Sequence, residues 1–375
     1  MRVTFTIDDD IRQLRESADR LFADQGGVAP LRHCRDAKDL AGAANGAWRG
    51  MSELGLPGIL APEAFGGAGL GFRASTQISE AMGKTLARGP FLSTAVMAVT
   101  ILAHSDNEAL KSEFLPQIAS GELIVALAGE EQGRHAPHAI SASFSPEVDG
   151  FGLSGHKTGV IDGNIAHKFI VAAVSAGDLE LFLVDAGASG ITITSGLGLD
   201  SQPAVGVDFK GVVIPETRLI SKPANAATLL DLAYDAGRLH LAAEMLGAAQ
   251  ETFDRTIDYM KTRVQFGRLI GEFQALQHRA AILFGELEIA RSIMSKAAWA
   301  WDGGEPDAAA LTSLAKARVG EIAKHATTEA VQLHGGIGVT DDFDIGFYLK
   351  RVRVAAERLG DTAFHAERYA VLKGL

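Results

Sequence analysis

The stretch Tyr259-Met-Lys-Thr-Arg-Val-Gln-Phe-Gly-Arg-Leu-Ile-Gly-Glu-Phe-Gln-Ala-Leu-Gln-His278 decides the reading of this chain. A second run, Gln332-Leu-His-Gly-Gly-Ile-Gly-Val-Thr340, belongs with it. Each reads as a turn that presents fixed groups at a helix end. In the first, Arg263, Gln265 and Phe266 stand just before Gly267, and a new helix is expected from Gly271–Phe273. The second ends a long helix on Gly335-Gly336. Paired glycines let backbone amides approach an anion, because no Cβ intervenes. An arginine and an aromatic ring beside such a turn suit a pyrophosphate and a flat ring. Together they point to a dinucleotide gripped by helix ends rather than by a Rossmann sheet.

Working outward, the texture of the chain changes twice. From about Ile7 to Gly121 apolar residues recur at helical spacing, as in Ile11, Leu14, Ala18, Leu21 and Phe22. The Gly67-x-Gly69-x-Gly71 spacing is read as a helix connector, since no strand precedes it. From Leu123 short β-rich runs follow: 123–128, 151–154, 169–173, 179–184, 191–194, 205–209 and 212–215. They predict a β-barrel or sandwich with no parallel βαβ unit. From about Ala224 the chain is helical and alanine-rich, with helices expected over 225–261, 272–301, 307–333 and 344–371. The expected fold is α+β: a helical domain (1–122), a middle β domain (123–222) and a C-terminal four-helix bundle (223–375).

Composition narrows the function. The chain has 375 residues, 47% of them hydrophobic, which suits a globular protein with a sizeable core. Its formal net charge of -11 argues against a general affinity for nucleic acid or acidic lipid. One cysteine, Cys34, excludes an internal disulfide and fits a reducing compartment. Met1–Asp10 is polar and acidic, unlike a signal peptide, and no apolar stretch is long enough to span a membrane. A cytoplasmic location is expected. The close pair His135 and His138 lacks a third ligand, so no metal is expected there.

The order of textures and the two runs resemble the acyl-CoA dehydrogenase family over nearly the whole chain. Leu54-Gly-Leu-Pro-Gly and Pro62-Glu-Ala-Phe-Gly-Gly-Ala-Gly match its N-terminal signature. Arg263-x-Gln-Phe-Gly-x-x-Ile-x-x-Phe-Gln-x-x-Gln-His and Gln332-x-x-Gly-Gly-x-Gly match its two later motifs. The resemblance implies FAD as cofactor, an acyl-CoA thioester as substrate and a tetramer. A carboxylate takes the proton beside the thioester while the flavin takes the hydride. By resemblance Arg263, Gln265, Phe266, Gln274, Gln332, Gly335 and Gly336 hold the FAD of the neighbouring subunit. His334, inside the second motif, could touch the cofactor or simply end its helix. Asp235 and Arg238 match residues that flank the substrate.

The departures carry as much information. One branch of the family keeps its catalytic glutamate in a Tyr-Glu-Gly-Thr turn, which falls here on Gly360 of Arg358-Leu-Gly-Asp-Thr362. The other keeps it just before the matched Arg238, at Gly237. Asp361 could be a displaced base or a helix cap. Glu244 is expected to be a buried, hydrogen-bonded acid and Glu357 an exposed one. The flavin-facing loop reads Gly129-Glu-Glu-Gln-Gly-Arg-His135, and the family's Trp and Thr are replaced by Gly159 and Ile161. The losses fall in the pocket of a single subunit, whereas the groups lent across the interface remain. That pattern resembles the smaller, degenerate partner of two-subunit acyl-CoA dehydrogenases acting on dicarboxyl-CoA or steroid side-chain thioesters. A homo- or hetero-tetramer with a catalytic sister chain is implied, and electron-transfer flavoprotein is among the admitted partners. The alternatives are a non-catalytic structural subunit and a flavin monooxygenase on the same fold.

Overall fold

A computed structural model describes residues 8–221 and 223–375. Ile7 and the rest of the acidic N-terminal stretch before Asp8 lie outside the described residues, as does Lys222 at the expected domain boundary. The N-terminal part is helical: α1 (Asp9–Asp24), α2 (Ala29–Ala37), α3 (Gly42–Glu53), α4 (Gly71–Thr85), a π-helical turn Phe91–Ala98 running into α5 (Val99–His104), and α6 (Glu108–Ala119). The glycine-rich turn is a connector, as expected. A Cβ on Gly67 would collide with the backbone of Ala61, so close chain approach accounts for that glycine.

Seven strands follow: β1 (Val125–Ala128), β2 (Ser143–Glu147), β3 (Gly150–Lys157), β4 (Lys168–Ser175), β5 (Asp178–Asp185), β6 (Ile191–Leu197) and β7 (Pro203–Ile214). They form one mixed sheet. β5 pairs antiparallel along the length of β4, while β1 and β2 pair parallel to the other edge of β4. The sheet continues from β2 through β3 and β7 to β6. At β1, β4 and β5 both faces are buried, which explains their uninterrupted apolar runs, whereas β6 is largely exposed. In β4, Phe169, Val171 and Ala173 face the β core, and Ile170 and Ala172 face the helices. Two readings need correction. The runs 205–209 and 212–215 are a single strand that ends at Ile214, carried through Gly211 at φ +59°. β2 was not expected, because Ser143-Phe-Ser-Pro-Glu147 is polar and holds a proline.

The C-terminal domain holds α7 (Pro223–Thr262), the two-residue strands β8 (Val264–Gln265) and β9 (Arg268–Leu269), α8 (Gln274–Asp302), α9 (Ala308–His334), α10 (Ile345–Glu357) and α11 (Thr362–Lys373). The expected single helix 344–371 is therefore two helices. The fourth member of the bundle is broken at Arg358–Asp361, and that break shapes the candidate site.

Candidate active site and cofactor interface

The interruption between α10 and α11 is a sharp turn built on positive φ. Leu359 has φ +56° and Gly360 has φ +108°. A non-glycine residue in this region costs on the order of 1–3 kcal/mol, so something must hold Leu359 there. Buried donors do so by clamping inward-facing carbonyls. Lys316 Nζ donates to the carbonyls of Ala356 at 2.9 Å and Gly360 at 3.0 Å. Arg238 Nε donates to the Leu359 carbonyl at 3.0 Å, and His365 Nε2 to the same oxygen at 3.1 Å. The Arg238 bond is charge-assisted and about twice as strong as a neutral one, and the four bonds together offset the strain.

With its carbonyls turned inward, the turn presents Arg358 and Asp361 to a cleft of about 830 Å³. The opposite wall comes from the β domain: Glu130, Gln132, Arg134 and His135, then Thr158, Gly159 and Ile161. Thus the structure brings together the positions read from sequence as a depleted pocket. Gly159 has open space where a side chain would stand. Gly360 does not. A Cβ there would clash with the ring of Phe364 and stand 2.8 Å from His365 Nε2. At Gly237 a Cβ would stand 2.7 Å from Leu359 Cδ1 and 3.0 Å from Met97 Sδ. Gly360 is thus closed to a side chain by its positive φ and the Phe364 ring, whereas at Gly237 the crowding comes from the flexible ends of Leu359 and Met97.

The acids around the cleft have partners. Asp361 is the N-cap of α11, its Oδ1 accepting from the Phe364 amide at 2.8 Å. Glu357 is exposed and pairs with Lys324 at 3.0 Å. Glu244 is the hydrogen-bonded acid expected, bound by Arg351. Glu130, which sequence reading did not single out, accepts from His135 Nδ1 at 2.5 Å. The far nitrogen of His135 takes a bond from Arg238 at 2.6 Å. Since a guanidinium only donates, that nitrogen is an acceptor and the imidazole is neutral. Burial lowers the His135 pKa, in agreement. Arg238 also binds Asp235 at 2.8 Å, and Asp235 binds Arg368 at 2.7 Å. Asp235 and Arg238 are buried at 4% and 1% exposure, beneath the cleft rather than on its wall. They reach it through His135 and the Leu359 carbonyl. In the adjoining β loop, burial alone would raise the Glu131 carboxyl, but bonds from Lys157, Ser141 and Ala142 hold it down at about 2. No metal-competent cluster occurs among the described residues.

Lys316 was also missed, because nothing in its local sequence marks it. Burial, with help from nearby Arg238, lowers its pKa to about 7. An unfolded lysine titrates near 10.4. Between these values the unfolded chain binds the extra proton, so this group makes stability rise with pH from about 7 to about 10. Replacing Lys316 with Met should remove that slope. The melting-temperature gap between wild type and variant, followed from pH 7 to 10, should shift in favour of wild type. A constant gap would contradict the buried titration.

The two motif runs converge elsewhere. Met260, Ile270 and Leu333 form a small core joining the β8–β9 hairpin to the end of α9. Tyr259 stacks on His334 with centroids 4.4 Å apart. His334 Nδ1 donates to the Ala330 carbonyl at 2.7 Å, and its Nε2 is buried with no hydrogen-bond partner among the described residues. Above this core the hairpin tip is bare: Phe266 is 92% exposed at φ +53°. Arg263, Gln265, Gln274 and Gln332 are exposed too. Among the described residues, Arg263, Gln274 and Gln332 make no side-chain hydrogen bond, while Gln265 bonds only the neighbouring Val264 carbonyl. Gly335 and Gly336 have open space beside Cα. None of these residues lines the cleft. The candidate site is therefore in two parts, a cleft inside the subunit and an exposed patch that faces outward.

The comparisons agree with this architecture. Residues 8–122 match the family model "Acyl-CoA dehydrogenase, N-terminal domain", and residues 230–370 match "Acyl-CoA dehydrogenase, C-terminal domain". The chain is 31% identical to acyl-CoA dehydrogenase IpdE2 of Mycolicibacterium smegmatis, over 84% of this chain and 83% of that one. It is 30% identical to mitochondrial isovaleryl-CoA dehydrogenase of Arabidopsis thaliana, over 92% and 87%. Among solved structures, the Tcur3481-Tcur3483 steroid ACAD superposes with a TM-score of 0.86 at 30% identity, covering 98% of each chain. With these relatives and the matched motifs, the chain belongs to the acyl-CoA dehydrogenase family of oxidoreductases.

Proposed function

We propose that this chain is an FAD-associated subunit of an acyl-CoA dehydrogenase assembly, deficient in its own base, that completes the FAD site of a catalytic sister chain. One observation carries the reading. Both places where the family keeps its glutamate are glycines under packed side chains, while the outward gripping patch is intact. The patch fits FAD chemically. An unengaged guanidinium suits a pyrophosphate, bare Phe266 suits a flat ring, and the Gly335-Gly336 backbone is open to close approach. Bound FAD supplies the hydride acceptor for oxidation of an acyl-CoA thioester. In this reading Arg263, Phe266, Gln274 and Gln332 orient the cofactor from across the interface, with Gly335 and Gly336 beneath it. The name of the solved relative joins two chains, which supports pairing with an unlike partner. Electron-transfer flavoprotein is the partner class that would then take the electrons onward.

Asp361 and Glu130 are the rival sources of a base, since both line the cleft. Asp361 keeps one oxygen free of its capping bond. The test uses the assembly of this chain with the sister it copurifies with. Asp361→Asn and Glu130→Gln should each leave thioester oxidation nearly unchanged. A loss of about 10²–10⁴-fold in either variant would instead assign the base to this chain.

A further inference from the structure

We propose that Arg32 and Arg35 of α2 are positioning residues for the cofactor patch: they preset the turn Gly335–Val339, so a helix of the N-terminal domain sets how tightly FAD is held. The inference rests on reading that patch as the FAD grip. It adds residues from outside both motif runs, with 306 positions between Arg35 and its partner Asp341.

Buried Leu31 and Cys34 seat α2 on the N-terminal core. Arg32 and Arg35, each one residue further along, share the adjoining face at i, i+3 spacing. Both reach the segment that leaves the turn. Arg35 forks onto Asp341, Nη1 to Oδ1 at 2.5 Å and Nη2 to Oδ2 at 2.8 Å. Arg32 bridges two acids, Nη1 to Asp341 Oδ2 at 2.8 Å and Nη2 to Asp344 Oδ1 at 2.9 Å. Arg255 of α7 meets the other oxygen of Asp344 at 3.4 Å. Both α2 guanidinium groups also lie over the buried ring of Phe347, 4.9 and 5.0 Å from its centre. The bond from Arg35 holds the Asp341 carboxyl down at about 2.

The turn needs a hold from outside. Its α9 end is fixed by Tyr259 stacked on His334, with Phe343 against the same imidazole at 5.0 Å. Its own residues are bare. Gly335 and Gly336 have open space beside Cα, and Ile337 and Val339 are exposed. Thr340 closes the turn by bonding the Ile337 carbonyl, from its amide at 3.1 Å and its hydroxyl at 2.8 Å. Glycines have the most backbone freedom to lose when a ligand binds. Tying the exit of the turn to α2 removes part of that freedom in advance, which favours binding. Exposed and half-exposed ion pairs contribute little to global stability, so the clamp acts on the turn and not on the fold.

The test measures FAD affinity of the copurified assembly, read from flavin fluorescence on dilution. Arg35→Gln and Asp341→Asn should each weaken FAD about 5–10-fold, the cost of reordering roughly one residue of backbone. The double substitution should be no worse than either single one, and Arg35→Lys should recover part of the loss. In the FAD-free chain, amide hydrogen exchange over 335–341 should speed up in Arg35→Gln, while the melting temperature shifts by less than about 2 °C. Unchanged FAD affinity in Arg35→Gln, beside a loss in the Arg263→Ala and Phe266→Ala double variant, would overturn the proposal and leave the patch reading standing. Unchanged affinity in both would remove the patch reading and the proposal with it. Additive losses in the double substitution, unchanged exchange over the turn, or a melting temperature that falls together with the affinity would also overturn it.

Discussion

Replacing Arg351 with Met should lower stability by about 3–5 kcal/mol, the usual cost of breaking a buried ion pair from one side. Arg351 is 4% exposed. It binds Glu244 of α7 at 2.5 and 2.8 Å and Asp200 of the β6–β7 connection at 2.8 Å. One side chain on α10 thus ties the long bundle helix to the β domain. Burial by itself would lower the Arg351 pKa, but Glu244 and Asp200 outweigh it and raise it. Burial would likewise raise Asp200, yet Arg351 brings its pKa below the ordinary value. That depressed carboxyl gives stability present above the unfolded pKa of about 3.9 and lost as pH falls through the folded one. Methionine matches the length of the stem and strips both carboxylates of the bonds from Arg351, leaving only the unbonded charge of Arg358 nearby. Chemical denaturation at pH 7 measures the effect. A change below about 1 kcal/mol, the range of exposed pairs, would mean the network contributes little.

The double substitution Arg263→Ala and Phe266→Ala should have the opposite character. Phe266 is 92% exposed and Arg263 makes no side-chain bond among the described residues, so the fold has little to lose. Surface changes of this kind stay within about 0.5 kcal/mol. FAD affinity of the assembly should nonetheless fall by about 10–100-fold, the worth of one charge-assisted bond before the lost ring contact is counted. Fluorescence of released flavin on dilution reads the affinity, and thermal unfolding of the isolated chain reads the control. Unchanged flavin retention would mean the patch does not grip the cofactor.

The sequence announced the fold through features that are local. Short β-rich runs and helical apolar spacing separate the β domain from the bundle, and the two glycine turns fall at the helix ends where they were expected. The expected helix 344–371 ran through the break at Arg358–Asp361 because Arg358 and Leu359 are ordinary helix residues, although Gly360 and the capping reading of Asp361 pointed to a turn there. The turn exists because Lys316 and Arg238, far away in sequence, hold its carbonyls. β7 was split in two because Lys210-Gly211 looks like a turn, whereas pairing with β3 carries the strand through it. The site was legible where it depended on motifs. Glycine at positions 237 and 360 was legible in the sequence, but only the packing shows Phe364 against Gly360 and the ends of Leu359 and Met97 against Gly237. The Glu130–His135–Arg238–Asp235–Arg368 chain draws on three separate segments, so no spacing rule could have assembled it.

The most direct test is to count flavin in the purified protein, alone and together with its sister chain. A subunit that lends its grip outward should be nearly colourless by itself and should yield one FAD for each unlike pair. A yellow homotetramer holding one FAD per chain, and reduced by an acyl-CoA without any partner, would contradict the division of labour inferred from the closed glycines and the exposed hairpin.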